Sequence, residues 1–210
     1  MRHYINITIL FFWTTLSYGQ IEVVPRKDNE TIEQFAERQK PENSTLTHKV
    51  LKTKWNGNSV IVSLYDITYK LPVQNDPDQQ TYHKIEGYVF SQLDKNTYSK
   101  VTFGIIDSEG GNPTIETVFF ANTDKDKAEE LIVIASWKQR HYDITGTLYG
   151  TYVFDNETIE KTLDLKFLEE ISKKLDGGCE CTWSDETNKK AKFKTALEIR
   201  NELIRLGYKQ

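Results

Sequence analysis

Residues 121–137 read ANTDKDKAEELIVIASW, and the change of character at Glu130 decides the fold. Before it, oxygen-bearing side chains stand at Asn122, Asp124 and Asp126; after it, Leu131 to Ala135 are apolar at each position. A strand sends successive side chains to opposite faces, so an unbroken apolar run needs cover on both. The pattern predicts a central strand buried on two sides. Working outward, HKVLKTKW (48–55), SVIVSLYDITY (59–69), YHKIEGYVFSQL (82–93), YSKVTFGIID (98–107), TIETVFFA (114–121) and GTLYGTYVF (146–154) are rich in Val, Ile, Thr, Tyr and Phe. With ELIVIASW they make about seven strands of mostly antiparallel sheet. Turn signals separate them: Asn56-Gly57-Asn58, Asn75-Asp76-Pro77-Asp78, Asp94-Lys95-Asn96 and Glu109 to Pro113.

Beyond Phe154 the period becomes helical. Ile159, Leu163, Phe167, Ile171 and Leu175 recur every fourth residue, predicting a helix over 158–176 that ends at Gly177-Gly178. A second helix is predicted over 185–206, with Ser184 as its N-cap and Gly207 after its end. Its inner face would carry Phe193, Leu197, Ile199, Leu203 and Leu206. Strands over 46–155 followed by two helices give an α+β domain over 46–210. Residues 20–45 are polar and hold two prolines, so they read as a flexible arm with one short helix from Thr31 to Lys40.

The first 19 residues, MRHYINITILFFWTTLSYG, carry Arg2 and His3, an apolar core from Ile5 to Leu16, and small residues at Ser17 and Gly19. That is the layout of a secretory signal peptide cleaved near Gly19, and it implies a periplasmic, envelope or secreted location. The full chain has a formal charge of −4, and cleavage removes only one charged side chain, that of Arg2, so the mature protein is more acidic. Such a surface counts against nucleic acid as a partner. No later apolar run reaches the roughly 20 residues of a transmembrane helix. Cys179 and Cys181 lie two residues apart in DGGCECTW, where a local disulfide, half of a soft-metal site and a redox-active pair all remain open.

Two constellations carry candidate chemistry. Counting Asn122 as position one, Asn122, Asp124 and Asp126 fall at one, three and five, the carbonyl of Ala128 at seven and Glu130 at nine. Alternate residues of a tight loop can converge on a hard cation that takes six to eight oxygens, so Ca2+ is the candidate cofactor. A solvated turn between two strands is the other reading. In WKQRHYDITGTLYGTYVFD (137–155), Trp137, Arg140, His141, Tyr142 and Asp143 could stack on sugar rings and bond hydroxyls, making a glycan or an envelope protein the candidate partner. His141 with Asp143 could instead act as a base and its orienting group in a hydrolase, although no nucleophile motif such as GxSxG is present.

The stretch from Asn122 into Leu131-Ile132-Val133-Ile134 resembles the calcium loops of FG-GAP and VCBS-type repeats, in which an Asp-x-Asp/Asn-x-Asp-Gly-x-x-Asp loop runs into a hydrophobic strand. It departs from them at Asn122, in place of the first Asp, and at Lys127, in place of the turn Gly. One copy cannot build a propeller. The wider ensemble is similar to small exported proteins of Gram-negative bacteria, some of which are associated with surface polysaccharide production. That resemblance implies an exported, non-enzymatic binding or accessory module of the cell envelope.

Overall fold

The computed structural model describes residues 21–70, 81–155 and 162–210. The signal-peptide reading of residues 1–19 and the turn signal at 75–78 lie outside the described residues. Among these there are twelve strands and three helices, and every pairing of strand with strand is antiparallel.

The first sheet uses β1 (Glu22–Pro25), β2 (Ser44–Leu46), β3 (Leu51–Trp55), β4 (Asn58–Lys70), β5 (Thr81–Gln92) and β6 (Thr97–Ile106). Its order is β1-β6-β5-β4-β2, and β3 also pairs with β4. The second uses β7 (Pro113–Ala121), β8 (Glu130–Arg140), β9 (Ile144–Asp155), β10 (Lys166–Phe167), β11 (Gly178–Trp183) and β12 (Asn188–Lys189). Here the order is β12-β11-β9-β8-β7, with β10 also on β9. The three helices are α1 (Ile32–Arg38), α2 (Glu169–Lys174) and α3 (Ala196–Arg205).

Three apolar clusters arrange these elements in four layers. Val60, Val62, Leu64, Val89, Val101 and Phe103 of the first sheet meet Phe120, Leu131, Val133, Ala135, Trp137 and Phe154 of the second, which forms the centre of a sandwich. The alternate residues Ile61, Tyr65, Tyr88 and Phe90 turn the other way and pack on Phe35 and Ala36 of α1. On the far side Phe119, Ile132, Ile134 and Val153 pack on Ile171 of α2 and on Ile199 and Leu203 of α3. Strand β8 is central as predicted: Leu131 to Ala135 are all fully buried, odd residues toward the sandwich and even ones toward the helices. A bulge at Glu86/Gly87 and Gly104, at φ 47°, let β5 and β6 bend so that the Phe154 ring stands where a Cβ at 104 would lie, 2.4 Å away.

Two short pieces cover the outer edge of each of three long strands. β3 and β2 share β4, β11 and β10 share β9, and β1 shares β6 with the segment around Asp164, which bridges Thr102 in parallel. Thr102 N donates to Leu163 O and Leu165 N to Thr102 O, both at 2.8 Å. The chain then steps onto the second sheet as β10, so residues 163–167 stitch the two sheets together.

The α+β expectation holds for a β-rich chain, but the strands outnumber the expected seven and form two sheets. The expected arm at 20–45 is instead integral, with β1 on β6 and β2 on β4. Few apolar residues suffice there, because Phe35 and Ala36 need only cap a sheet face already lined by Tyr65, Tyr88, Phe90 and Tyr98. The helix predicted over 158–176 is confined to α2, its first residues falling outside those described. Residues 162–167 run extended because Leu165, absent from the every-fourth series, is the buried one, while Leu163 and Phe167 are each 44 % exposed. The helix predicted over 185–206 starts at Ala196, capped not by Ser184 but by Thr195 in a capping box with Glu198. Leu197 is 68 % exposed because it sits two residues from Ile199, about 200° around the helix.

Candidate metal centre

The connection from β7 to β8 is a coil of side-chain-closed turns. Asp124 N donates to Asn122 Oδ1 (3.1 Å), Asp126 N to Asp124 Oδ1 (2.8 Å) and Ala128 N to Asp126 Oδ1 (2.7 Å). Asn and Asp at every second residue favour such Asx turns, which explains the local fold without any ion. Asn122 Nδ2 donates to Asp126 O at 2.7 Å and closes the coil.

Glu130 opens β8 and is 1 % exposed. Its Oε2 accepts from Thr123 N (2.5 Å) and Thr123 Oγ1 (2.8 Å). Burial pushes its carboxyl up to about 7, the Thr123 hydrogen bonds oppose this, and the Asp124 and Asp126 charges add to it. Asp124, Asp126 and Glu130 each offer an oxygen, and these atoms lie within 4.8 Å of one another. Oxygens around one calcium, at about 2.3–2.6 Å from it, are separated by at most about 5 Å, so this triad could hold a metal ion. Of the five residues read from the sequence, the structure brings these three together. Both polar side-chain atoms of Asn122 are engaged within the coil.

Distant residues fix the coil. Glu129 O accepts from Trp55 Nε1 (2.5 Å) and Asn56 Nδ2 (2.9 Å), and Glu129 N donates to Asn56 Oδ1 (2.9 Å). Asn56, at φ 47°, belongs to the tight turn between β3 and β4. Gln210 Nε2 donates to Asn122 O (2.8 Å), and Arg200 of α3 donates to Phe120 O (2.5 Å). The spacing within 122–130 was legible in sequence; these partners, 73 to 88 residues away, left no local signal.

The candidate recognition residues separate. Trp137 is 2 % exposed in the sandwich and donates to Asp107 O at 2.8 Å. Arg140, His141, Tyr142 and Asp143 are exposed on the β8–β9 turn, Tyr142 completely. The His141 ring meets Gln139 Oε1 at 3.3 Å, and the Asp143 carbonyl accepts from Ser184 N at 3.0 Å. Loop 107–112 packs under this turn through Gln139 Nε2 to Glu109 O (2.6 Å). A cleft of about 450 Å³ beside that loop is lined by Tyr69, Tyr82, Asp107, Ser108 and Asn112, with the two tyrosine rings stacked at 5.7 Å. Sequence reasoning missed the cleft because its walls come from strands whose pairing was unknown.

No helix among the described residues is long and apolar enough to cross a membrane. No protein-family model, curated protein or solved structure matches the chain.

Proposed function

We propose that the chain is an exported binding or accessory module of the cell envelope whose 122–130 turn takes one calcium ion as a structural tie. The observation that carries the metal reading is the convergence of Asp124, Asp126 and Glu130 oxygens within 4.8 Å at the head of the central strand. An ion there would join the coil to β8 and neutralise three acids held close together, stabilising the folded state by mass action. The candidate recognition surface is the exposed Arg140–Asp143 turn with the adjoining tyrosine cleft, whose rings suit a glycan of surface polysaccharide. A hydrolase using His141 and Asp143 has less support, since the pair stands on an exposed turn and the His141 ring bonds Gln139 instead.

The test is thermal unfolding of residues 20–210 in excess EDTA and in millimolar calcium, repeated on Asp124→Ala/Asp126→Ala. A calcium-dependent rise in Tm that the double variant loses is expected. Superimposable curves for the unsubstituted protein sink the calcium reading.

A further inference from the structure

The Cys179–Cys181 bridge is a second chemical centre, on the opposite side of β9 from β8. The two cysteines are bonded across a separation of two residues within β11, with their Cα atoms 5.3 Å apart. In a regular strand that spacing is about 6.8 Å, so β11 is locally shortened between the two cysteines. A ring this small restricts the unfolded chain less than any longer loop would, and gives the least stabilisation a disulfide can. The fold also has three apolar clusters of its own. The bridge is therefore poorly suited to be a staple.

Its surroundings suit exchange. Cys179 is half-buried, whereas Cys181 is 3 % exposed. Strand register puts Cys181 between Gly146 of β9 and Lys189 of β12. Gly146 leaves the room: a Cβ there would stand 2.8 Å from Cys181 Sγ and 2.2 Å from Glu180 O. Lys189 is the cross-strand partner of Cys181, so its side chain leaves the same face, and its ammonium lies 5.2 Å from the centroid of the Trp183 ring two residues along β11. The intervening Glu180 is neutralised by Lys194 at 2.9 and 3.0 Å. A cation next to a thiol favours the thiolate and makes it a better leaving group.

We propose that Cys179–Cys181 is a thiol–disulfide exchange site that oxidises polypeptide dithiols. A substrate thiolate bonds to Sγ of Cys179, the less buried of the two, and the Cys179–Cys181 bond breaks with its electron pair leaving on Cys181, opposite Lys189. The substrate's second thiolate then attacks the substrate sulfur of the mixed disulfide and expels Cys179 as thiolate. Two electrons pass from the substrate, which gains a disulfide, to the cysteine pair, which takes up two protons to become two thiols. The reverse sequence, with a small-molecule or protein disulfide as oxidant, restores the bridge.

The experiment incubates the folded mature protein in glutathione buffers, quenches with acid and counts thiols by maleimide mass shift, with a reduced two-cysteine peptide as substrate. About 5 mM reduced glutathione should open the bridge, which a structural disulfide would resist. The protein should keep its fold on reduction, and the oxidised form should oxidise the peptide stoichiometrically while Cys179→Ser/Cys181→Ser does not. Lys189→Gln should slow iodoacetamide alkylation of the reduced pair several-fold at fixed pH, and Lys189→Arg should restore it. A bridge that stays closed in that buffer, or a protein that unfolds when it opens, overturns the proposal.

Discussion

Glu130 is a carboxyl walled in at the start of the central strand, with two further acids close by. Its folded value of about 7 stands above the ordinary 4.5, so between those pH values the folded state holds a proton that the unfolded state has released. Stability without metal is then greatest below about pH 4.5 as far as this group is concerned, and is lost as pH rises toward 7. The loss is on the order of 2–3 kcal/mol. We predict that denaturant unfolding in EDTA shows this fall from pH 5 to pH 7 and that Glu130→Gln flattens it. Calcium, which needs the carboxylate, should oppose the fall by stabilising the protein increasingly as the proton leaves. Asp124 and Asp126 were legible as a pair because their spacing is local. The burial of Glu130 was not, since it depends on Thr123 closing over it and on Trp55 and Asn56 holding Glu129.

Among the elements, α1 shows how little sequence a structural role requires. Thr31 and Gln34 form a reciprocal capping box, and Glu30, held down to about 2 by the Arg38 guanidinium, ties the helix end back to its start. Phe35 is fully buried against the Phe90 and Tyr98 rings, with centroids at 4.9 and 5.3 Å. Phe35→Ala should cost about 3–5 kcal/mol in chemical denaturation. A cost under about 0.5 kcal/mol, typical of a solvated residue, would return residues 20–45 to the status of an arm. The short helix expected from Thr31 to Lys40 is present as α1, but its packing was not legible, because two buried residues in seven leave almost no apolar face to detect. At the C-terminal end the error ran the other way: apolar residues at helical spacing suggested long helices, where Leu163 and Phe167 in fact flank buried Leu165 along an extended segment.

At the scale of the molecule, the apolar run that opens β8 predicted a buried centre, and the sandwich has β8 there with strands on both sides and packing on both faces. The presence of two sheets was not legible, because alternation reports which face of a strand is covered and not by what. Amides of Leu131 to Ala135 should be the slowest to exchange with deuterium, opening only with global unfolding. Early exchange there, alongside protected β5, would mean that the two sheets unfold separately.

The shared cover of the long strands has a further consequence. A bare strand edge is a template on which other copies of a chain can stack into fibres. β4, β6 and β9 are each shielded along their outer edge by two short pieces. On β7, which ends the second sheet, Pro113 and the register shift between Ile115 and Thr117 interrupt the edge instead. The patchwork that made the short strands hard to read in sequence thus leaves little bare edge on β4, β6 and β9 for another copy of the chain to pair with.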